Sequence, residues 1–328
     1  MPALVIPVSV ITGFLGSGKT TLIGRLLRDP SLADTAVIVN EFGEVALDHD
    51  LIAASDETLV QLTTGCLCCA VRTDLVETLL DLHARREAGE LRFARVLVET
   101  SGLADPAPIL AALMSDSALA GRFAIAAVAT LVDAELGEAT LIRHPEARRQ
   151  VAMADRILLT KTDRAAPSPA LRARLAALNP AATPSPGPAD AAWLLAPAGR
   201  LPAEIPPIAL HTAAITAASI RRTEPVPALA LTLLIQALAE HCGSRLLRLK
   251  GLVDIAESPG RPALIHGVQH VFSTPDFLPA WPTEDRTTRI VLIGEALPPH
   301  FAARLLDAIA AEVADETSRL RATEPPAP

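Results

Sequence analysis

Residues Val8 to Thr21 read VSVITGFLGSGKTT, and the fold is read outward from this stretch. It holds the spacing G-x-x-x-x-G-K-[ST] as Gly13, Gly18, Lys19 and Thr20, between an apolar run of strand character and a helical pattern. Glycines let successive backbone N–H groups turn inward around phosphate oxygens, and the start of the following helix adds the positive end of its dipole. Lys19 then supplies a point charge to the β and γ oxygens of a nucleotide, and the Thr20 hydroxyl is a Mg²⁺ ligand.

Composition allows a two-domain globular chain and argues against other classes. The 328 residues suffice for two domains, and half of them are hydrophobic. No stretch reaches the 18 charge-free apolar positions of a membrane span, and the run Leu4–Leu15 follows no basic segment, so no membrane association is expected. A formal charge of −8 argues against nucleic-acid binding. With no export signal read, the expected location is cytoplasmic. The chain has only three lysines, Lys19, Lys161 and Lys250, and two of them fall inside motifs. Lysine in an arginine-rich background marks places where a compact ammonium on a slim stem is wanted.

Outward from the loop, apolar runs alternate with helical patterns. Leu4–Ile11, Thr35–Asn40, Arg95–Glu99, Ala124–Asp133, Arg156–Thr160 and Ile208–His211 read as strands, mostly unbroken apolar ones suited to a parallel sheet covered on both faces. Thr20–Arg28, Thr73–Arg86, Ala107–Met114 and Pro169–Leu178 read as the intervening helices. The expected fold class is therefore α/β, a mostly parallel phosphate-loop sheet flanked by helices. Pro180–Pro207 reads as an irregular loop around at most one short helix, with a break near Arg221–Pro227. Beyond it, a helix at Ala228–His241, strands at Arg245–Ala256, Ala263–Ser273 and Thr288–Gly294, and a helix at Pro299–Val313 predict a smaller α+β domain. The expected boundaries are 1–222, 223–321 and a tail at 322–328.

Two further motifs refine the nucleotide reading. The strand at Arg95 ends in Glu99-Thr100-Ser101-Gly102. An acidic residue at the carboxyl end of a parallel strand beside the phosphate loop can hold the Mg²⁺ shell, and Gly102 can bring its N–H to the γ-phosphate. The strand at Arg156 runs into Thr160-Lys161-Thr162-Asp163, an [NT]-K-x-D loop. Asp163 would accept from N1–H and the 2-amino group of guanine, a donor pair that adenine lacks, with the Lys161 stem along the purine plane. Thr160 stands where asparagine is commoner, so some bridging contact to the phosphate loop is expected to be lost. Thr212-Ala213-Ala214 is the best placed stand-in for a base-supporting loop.

Thr64 to Arg72 reads TGCLCCAVR, and its three cysteines, Cys66, Cys68 and Cys69, are too close for a disulfide framework. Thiolates in this spacing suit Zn²⁺, Co²⁺ or Cu⁺. The cluster can supply two or three ligands with an open position, as suits a transferable ion, and Glu41 is a candidate oxygen ligand. Cys242 is isolated and reads as a helix-end packing residue.

In order along the chain, GFLGSGKTT, VNEFGEV, GCLCCAVR, ETSGLADP and TKTD resemble the CobW-type metal-handling GTPases, and LLRLKGLVDIAESPG with ALIHGVQH and RIVLIGEAL resembles their C-terminal domain. That resemblance implies that Gly16, Ser17, Gly18, Lys19, Thr20 and Thr21 hold GTP phosphates and Mg²⁺. It also implies that 40–45 senses the γ-phosphate and that Cys66, Cys68 and Cys69 bind zinc or cobalt for a client metalloprotein or metal-insertion complex. One departure is the lack of a histidine-rich tract. The resulting expectation is a GTP-driven metallochaperone with slow intrinsic hydrolysis, since no arginine finger or water-positioning glutamine stands in a motif. Alternatives are a nucleotide-gated metal sensor and, less favoured because of TKTD, a small-metabolite kinase. The apolar second domain could support homodimerisation or client docking.

Overall fold

The structure is a computed structural model that describes residues 5–39, 59–61, 68–195, 215–298 and 300–323, with backbone alone at 59–61, 68–73, 317, 318 and 320–323. The chain separates into two compact units, Met1–Arg200 and Leu201–Pro328.

The first unit is a parallel sheet of seven strands: β1 (Ile6–Gly13), β2 (Thr35–Val39), β3 (Leu59–Gln61), β4 (Arg95–Glu99), β5 (Phe123–Asp133), β6 (Arg156–Thr160) and β7 (Pro184–Pro186). Their order is β3-β2-β4-β1-β5-β6-β7. β-Branched residues fill β1, β2 and β4, and these strands are buried on both faces, as a sheet sandwiched between helices requires. The helices are α1 (Lys19–Leu26), α2 (Cys68–Glu87), α3 (Ala107–Ser115), α4 (Gly137–Arg143), α5 (Pro145–Ala152), α6 (Pro169–Leu178) and α7 (Ala191–Leu195).

The strand order has a direct consequence for the site. From β1 the chain passes over β4 to reach β2 and β3, returns to β4, and then continues on the far side of β1 as β5. The order thus reverses around β1, and loops leaving its neighbours diverge there to open a crevice. Ile11 pairs with Glu99, Gly13 with Leu131, and Asp133 with Thr160, so the ends of four strands line up along one edge.

Five of the expected strands are present to within two residues. The one expected at 208–211 lies outside the described residues. β3, β7, α4 and α5 were not anticipated: β3 and β7 span three residues each, and α4 and α5 are short helices on either side of His144. Such lengths carry too little periodicity to read. β7 falls in the proline-rich stretch expected to be irregular, at the sheet edge where proline is tolerated.

The second unit has an antiparallel sheet in the order β11-β10-β9-β13-β8, with β12 also pairing to β10. Its members are β8 (Ile215–Arg222), β9 (Leu246–Val253), β10 (Ala263–Val268), β11 (Val271–Phe272), β12 (Asp276–Phe277) and β13 (Thr288–Glu295). Helices α8 (Ala228–Cys242) and α9 (Phe301–Thr323) complete a core that includes Leu234, Leu249, Ile290 and Leu306. β8 corrects the boundary expected at 222/223, because it pairs with β13 over its whole length and so belongs to the second sheet. Its sequence ITAASIRR is dominated by alanine, serine and arginine, weak strand formers that pairing overrides. The single strand expected at 263–273 is a tight hairpin turning at Gln269, so His266 and His270 do not share a strand. α9 runs on to Thr323, past the expected helix end at Val313 and into the expected tail. Cys242 is buried in this core as expected, and burial pushes its thiol pKa up.

Asn179, which ends α6, is buried and makes several side-chain hydrogen bonds. Its Nδ2 donates to the carbonyls of Val151, Ala152 and Ala154, and its Oδ1 accepts from the N–H groups of Ala181 and Ala182. It therefore ties the end of α5 to the start of β7's approach. Replacing Asn179 with Ala strands several buried backbone groups and should destabilise the fold by on the order of 3 kcal/mol, read as a lowered urea midpoint.

Candidate functional site: a phosphate loop with a linked base-side loop

Gly13 leaves β1 at φ 144°, and a Cβ there would stand 2.5 Å from the Leu131 carbonyl oxygen and 2.7 Å from Ser17 Oγ. No other residue fits. Gly16 and Gly18 also have positive φ, 72° and 93°, and Gly18 opens α1 with no side-chain cap. An uncapped helix start that follows glycines with positive φ is a ready-made anion cradle. Lys19 is buried in the loop, its Nζ donating to the Gly13 carbonyl at 2.9 Å and the Phe14 carbonyl at 3.4 Å. Ser17 is buried, whereas Thr21 in the first turn of α1 is exposed.

Thr20 Oγ1 donates to Glu99 Oε1 at 3.0 Å, which joins the phosphate loop to the end of β4. Glu99 is only 2% exposed. Beyond it, Thr100 Oγ1 donates to Thr12 Oγ1 at 2.7 Å and the Thr100 N–H to the Ile11 carbonyl at 3.0 Å, a second seam between the same strands. Gly102 rests against the loop itself, since a Cβ on it would be 2.8 Å from the Leu15 backbone nitrogen. Asp105, three residues on, is held by Arg149 of α5 at 2.7 Å.

The loop after β6 is joined to the phosphate loop as well. Thr160 Oγ1 donates to the Ser17 carbonyl at 2.8 Å. One bridging contact is therefore kept with threonine at this position, its short hydroxyl reaching a backbone oxygen because β6 ends so close to the loop. Lys161, at φ 54°, places its Nζ 2.6 Å from Asp133 Oδ2. Asp133 Oδ1 accepts from the N–H groups of Glu135 and Leu136. Burial acts to raise the Asp133 carboxyl, but Lys161 and the Leu136 and Glu135 N–H groups outweigh it and hold the pKa below its ordinary value. Asp163, two residues past Lys161, is exposed at the mouth of this loop. A cavity of about 210 Å³ lies against the loop, lined by Phe14, Leu15, Asp133, Gln150 and Lys161 among others.

Asp133 was read only as a strand end, although an acid closing the apolar run FAIAAVATLVD is the same signal that singled out Glu99. Glu41 and Cys66 lie outside the described residues, as do 212–214. Cys68 and Cys69 open α2, and only their backbone is described. The described chain does fix where the cysteine segment leaves the sheet. Gln61 at the end of β3 pairs with Val39, and Val39 pairs with Glu99.

Fold and loop together define a P-loop nucleotide-binding protein with a second, antiparallel-sheet domain. The sequence matches the family described as CobW/HypB/UreG, nucleotide-binding domain, over residues 7–185, and the cobalamin synthesis protein cobW C-terminal domain over residues 215–310. The chain belongs to this CobW family. It is 36% identical to the zinc chaperone YjiA of Escherichia coli, over 89% of this chain and 95% of that protein. It is 31% identical to the zinc chaperone CobW of Pseudomonas aeruginosa, over 89% of this chain and 88% of that one. Its structure resembles the crystal structure of Zn(II)-bound YjiA GTPase from E. coli with a TM-score of 0.72 at 29% identity, covering 93% of this chain and 99% of that one.

The Lys161–Asp133 pair gives a pH signature. Because the folded-state pKa of Asp133 is depressed, its stabilisation is complete above the ordinary carboxylate value and fades as pH falls below about 4. The stability gap between the wild type and an Asp133→Asn variant, followed by urea melts, should be full at neutral pH and should close on acidification.

Proposed function

We propose that the chain hydrolyses GTP to GDP and phosphate and uses the nucleotide cycle to bind and release a zinc ion held by thiolates. The observation that carries this reading is the continuous row from the phosphate loop to the cysteine segment. Thr20 bonds Glu99, Glu99 pairs with Val39, and Val39 pairs with Gln61, after which the chain runs to Cys66, Cys68 and Cys69. Two strand spacings separate Glu99 from Gln61, about 10 Å. An event at the γ-phosphate is thus two strand spacings from Gln61, where the cysteine segment leaves the sheet. The names of the similar proteins, zinc chaperones and a zinc-bound GTPase, supply the cargo and the nucleotide.

In this reading the N–H groups of Gly16 to Thr21 and the Lys19 ammonium cradle the phosphates. Asp163 reads guanine, on a loop steadied by Thr160 and Lys161. A hydroxyl and a buried carboxylate 3.0 Å apart, both oxygen donors at the phosphate loop, fit a hard divalent cation, so Thr20 and Glu99 would hold Mg²⁺. When bound, that ion neutralises charge on the phosphate oxygens. The Gly102 N–H orients the γ-phosphate while water attacks phosphorus in line and GDP leaves. With no arginine finger or motif glutamine assigned to the attacking water, the intrinsic rate is slow. Cys66, Cys68, Cys69 and Glu41 supply the cargo site, and loss of the γ-phosphate relaxes 40–45 and opens that site to a client metalloprotein. A reducing compartment keeps free cysteines as thiols, which supports the cytoplasm as the location of this chemistry.

Zinc affinity measured by chelator competition with GTP·Mg²⁺, with GDP and without nucleotide should differ between the three states. Equal affinities would remove the coupling, and tighter cobalt than zinc binding would change the cargo. Changing Cys66 and Cys68 together to Ser should abolish tight zinc binding and leave guanine-nucleotide affinity intact. Asp163→Asn should weaken GTP binding by roughly 10- to 100-fold, the range of a lost hydrogen bond to a charged group, and relax discrimination against ATP.

A further inference from the structure

We propose that Gln150 is the positioning residue that sets the Gly102–Ala104 loop for its γ-phosphate contact, an inference that rests on the GTP-hydrolysing reading. Gln150 lies in α5 and has no exposed surface. Its Nε2 donates to the Gly102 carbonyl at 3.1 Å and to the Ala104 carbonyl at 3.0 Å. Both partners are carbonyls, which only accept, so the orientation of the carboxamide is decided by chemistry. Its Oε1 is buried and accepts no hydrogen bond among the described residues. A glutamine that leaves one end without a hydrogen bond in order to clamp two carbonyls with the other is placed for the loop and not for its own solvation.

The loop needs such a clamp. Gly102 carries no side chain because the Leu15 backbone occupies the space, so nothing of its own restricts its backbone rotation. The Gly102 carbonyl lies in the peptide plane that follows its Cα, so holding it fixes the Gly102 ψ angle and with it the path from Gly102 to Ala104; α5 holds this loop at two consecutive residues. Gln150 takes the carbonyls, and Arg149 takes the Asp105 carboxylate at 2.7 Å. At the other end of the same helix, His144 stacks on Phe14 of the phosphate loop with ring centroids 4.4 Å apart. α5 therefore braces both loops that would touch the γ-phosphate, and GDP, which has no γ-phosphate, should be indifferent to the Gln150 clamp on the Gly102 loop.

The test compares Gln150→Met, Gln150→Glu and Arg149→Met with wild type in single-turnover hydrolysis and in GDP and GTP-analogue binding. We expect GDP affinity within about twofold of wild type and kcat lowered about tenfold in Gln150→Met, the effect of roughly one lost hydrogen bond at the barrier. Gln150→Glu, whose carboxyl donates only while protonated, should recover kcat as pH is lowered. Thr130→Val is the structural control. It removes the bond from Thr130 Oγ1 to the Gln150 backbone carbonyl, 2.8 Å long, without touching the clamp. It should lower the melting temperature while leaving kcat unchanged. If the Gln150 variants do not fold, Arg149→Met, at a half-buried pair, gives the same reading with a smaller fall in kcat. Unchanged kcat in folded Gln150→Met or in Arg149→Met, or GDP and GTP affinities falling together, would overturn the proposal. Absence of hydrolysis by wild type would instead remove the GTPase reading, and the binding arms would still decide whether the clamp discriminates the γ-phosphate.

Discussion

The phosphate loop exists because three neighbouring strands crowd it. β1 ends at Gly13 with the Leu131 carbonyl of β5 so near that no Cβ fits, and on the other side Gly102 lies against the Leu15 backbone. These approaches bring the loop within hydrogen-bonding reach of everything around it. Thr20 meets Glu99, Ser17 meets Thr160, and the Gly13 and Phe14 carbonyls receive the Lys19 ammonium. A larger residue at Gly13 would push the loop off β5 and lengthen all of these contacts together.

From that crowding comes the division of labour across the sheet edge. On the β4 side the contacts are hydroxyl to carboxylate and hydroxyl to hydroxyl, Thr20 to Glu99 and Thr100 to Thr12, in a buried setting suited to a cation and phosphates. On the β6 side an ion pair, Lys161 with Asp133, fixes a loop whose Asp163 stays exposed. The two sides share one carrier, the loop that follows β1, which bonds Glu99 through Thr20 and Thr160 through Ser17. The reversal of strand order around β1 is what gives each side its own set of loops.

The second unit is built on different physics. Its antiparallel sheet buries one leucine- and isoleucine-rich face under α8 and α9, and its close glycine approaches, at Gly251, Gly267 and Gly294, lie within strands.

The sequence alone determined the phosphate loop, the acid at the end of β4, the TKTD loop and the cysteine spacing, because each is a short run of residues whose chemistry is local. It also placed the long apolar strands, since complete burial of a parallel strand leaves an unmistakable apolar run. It did not reveal β8, whose alanines and arginines become a strand only when β13 pairs with them. Nor did it reveal that Thr160 would bridge to Ser17, that Asp133 would seat Lys161, or that Gln150 would clamp Gly102 from 48 positions away. Those contacts depend on which strand ends meet along one edge, and only the order of the sheet decides that.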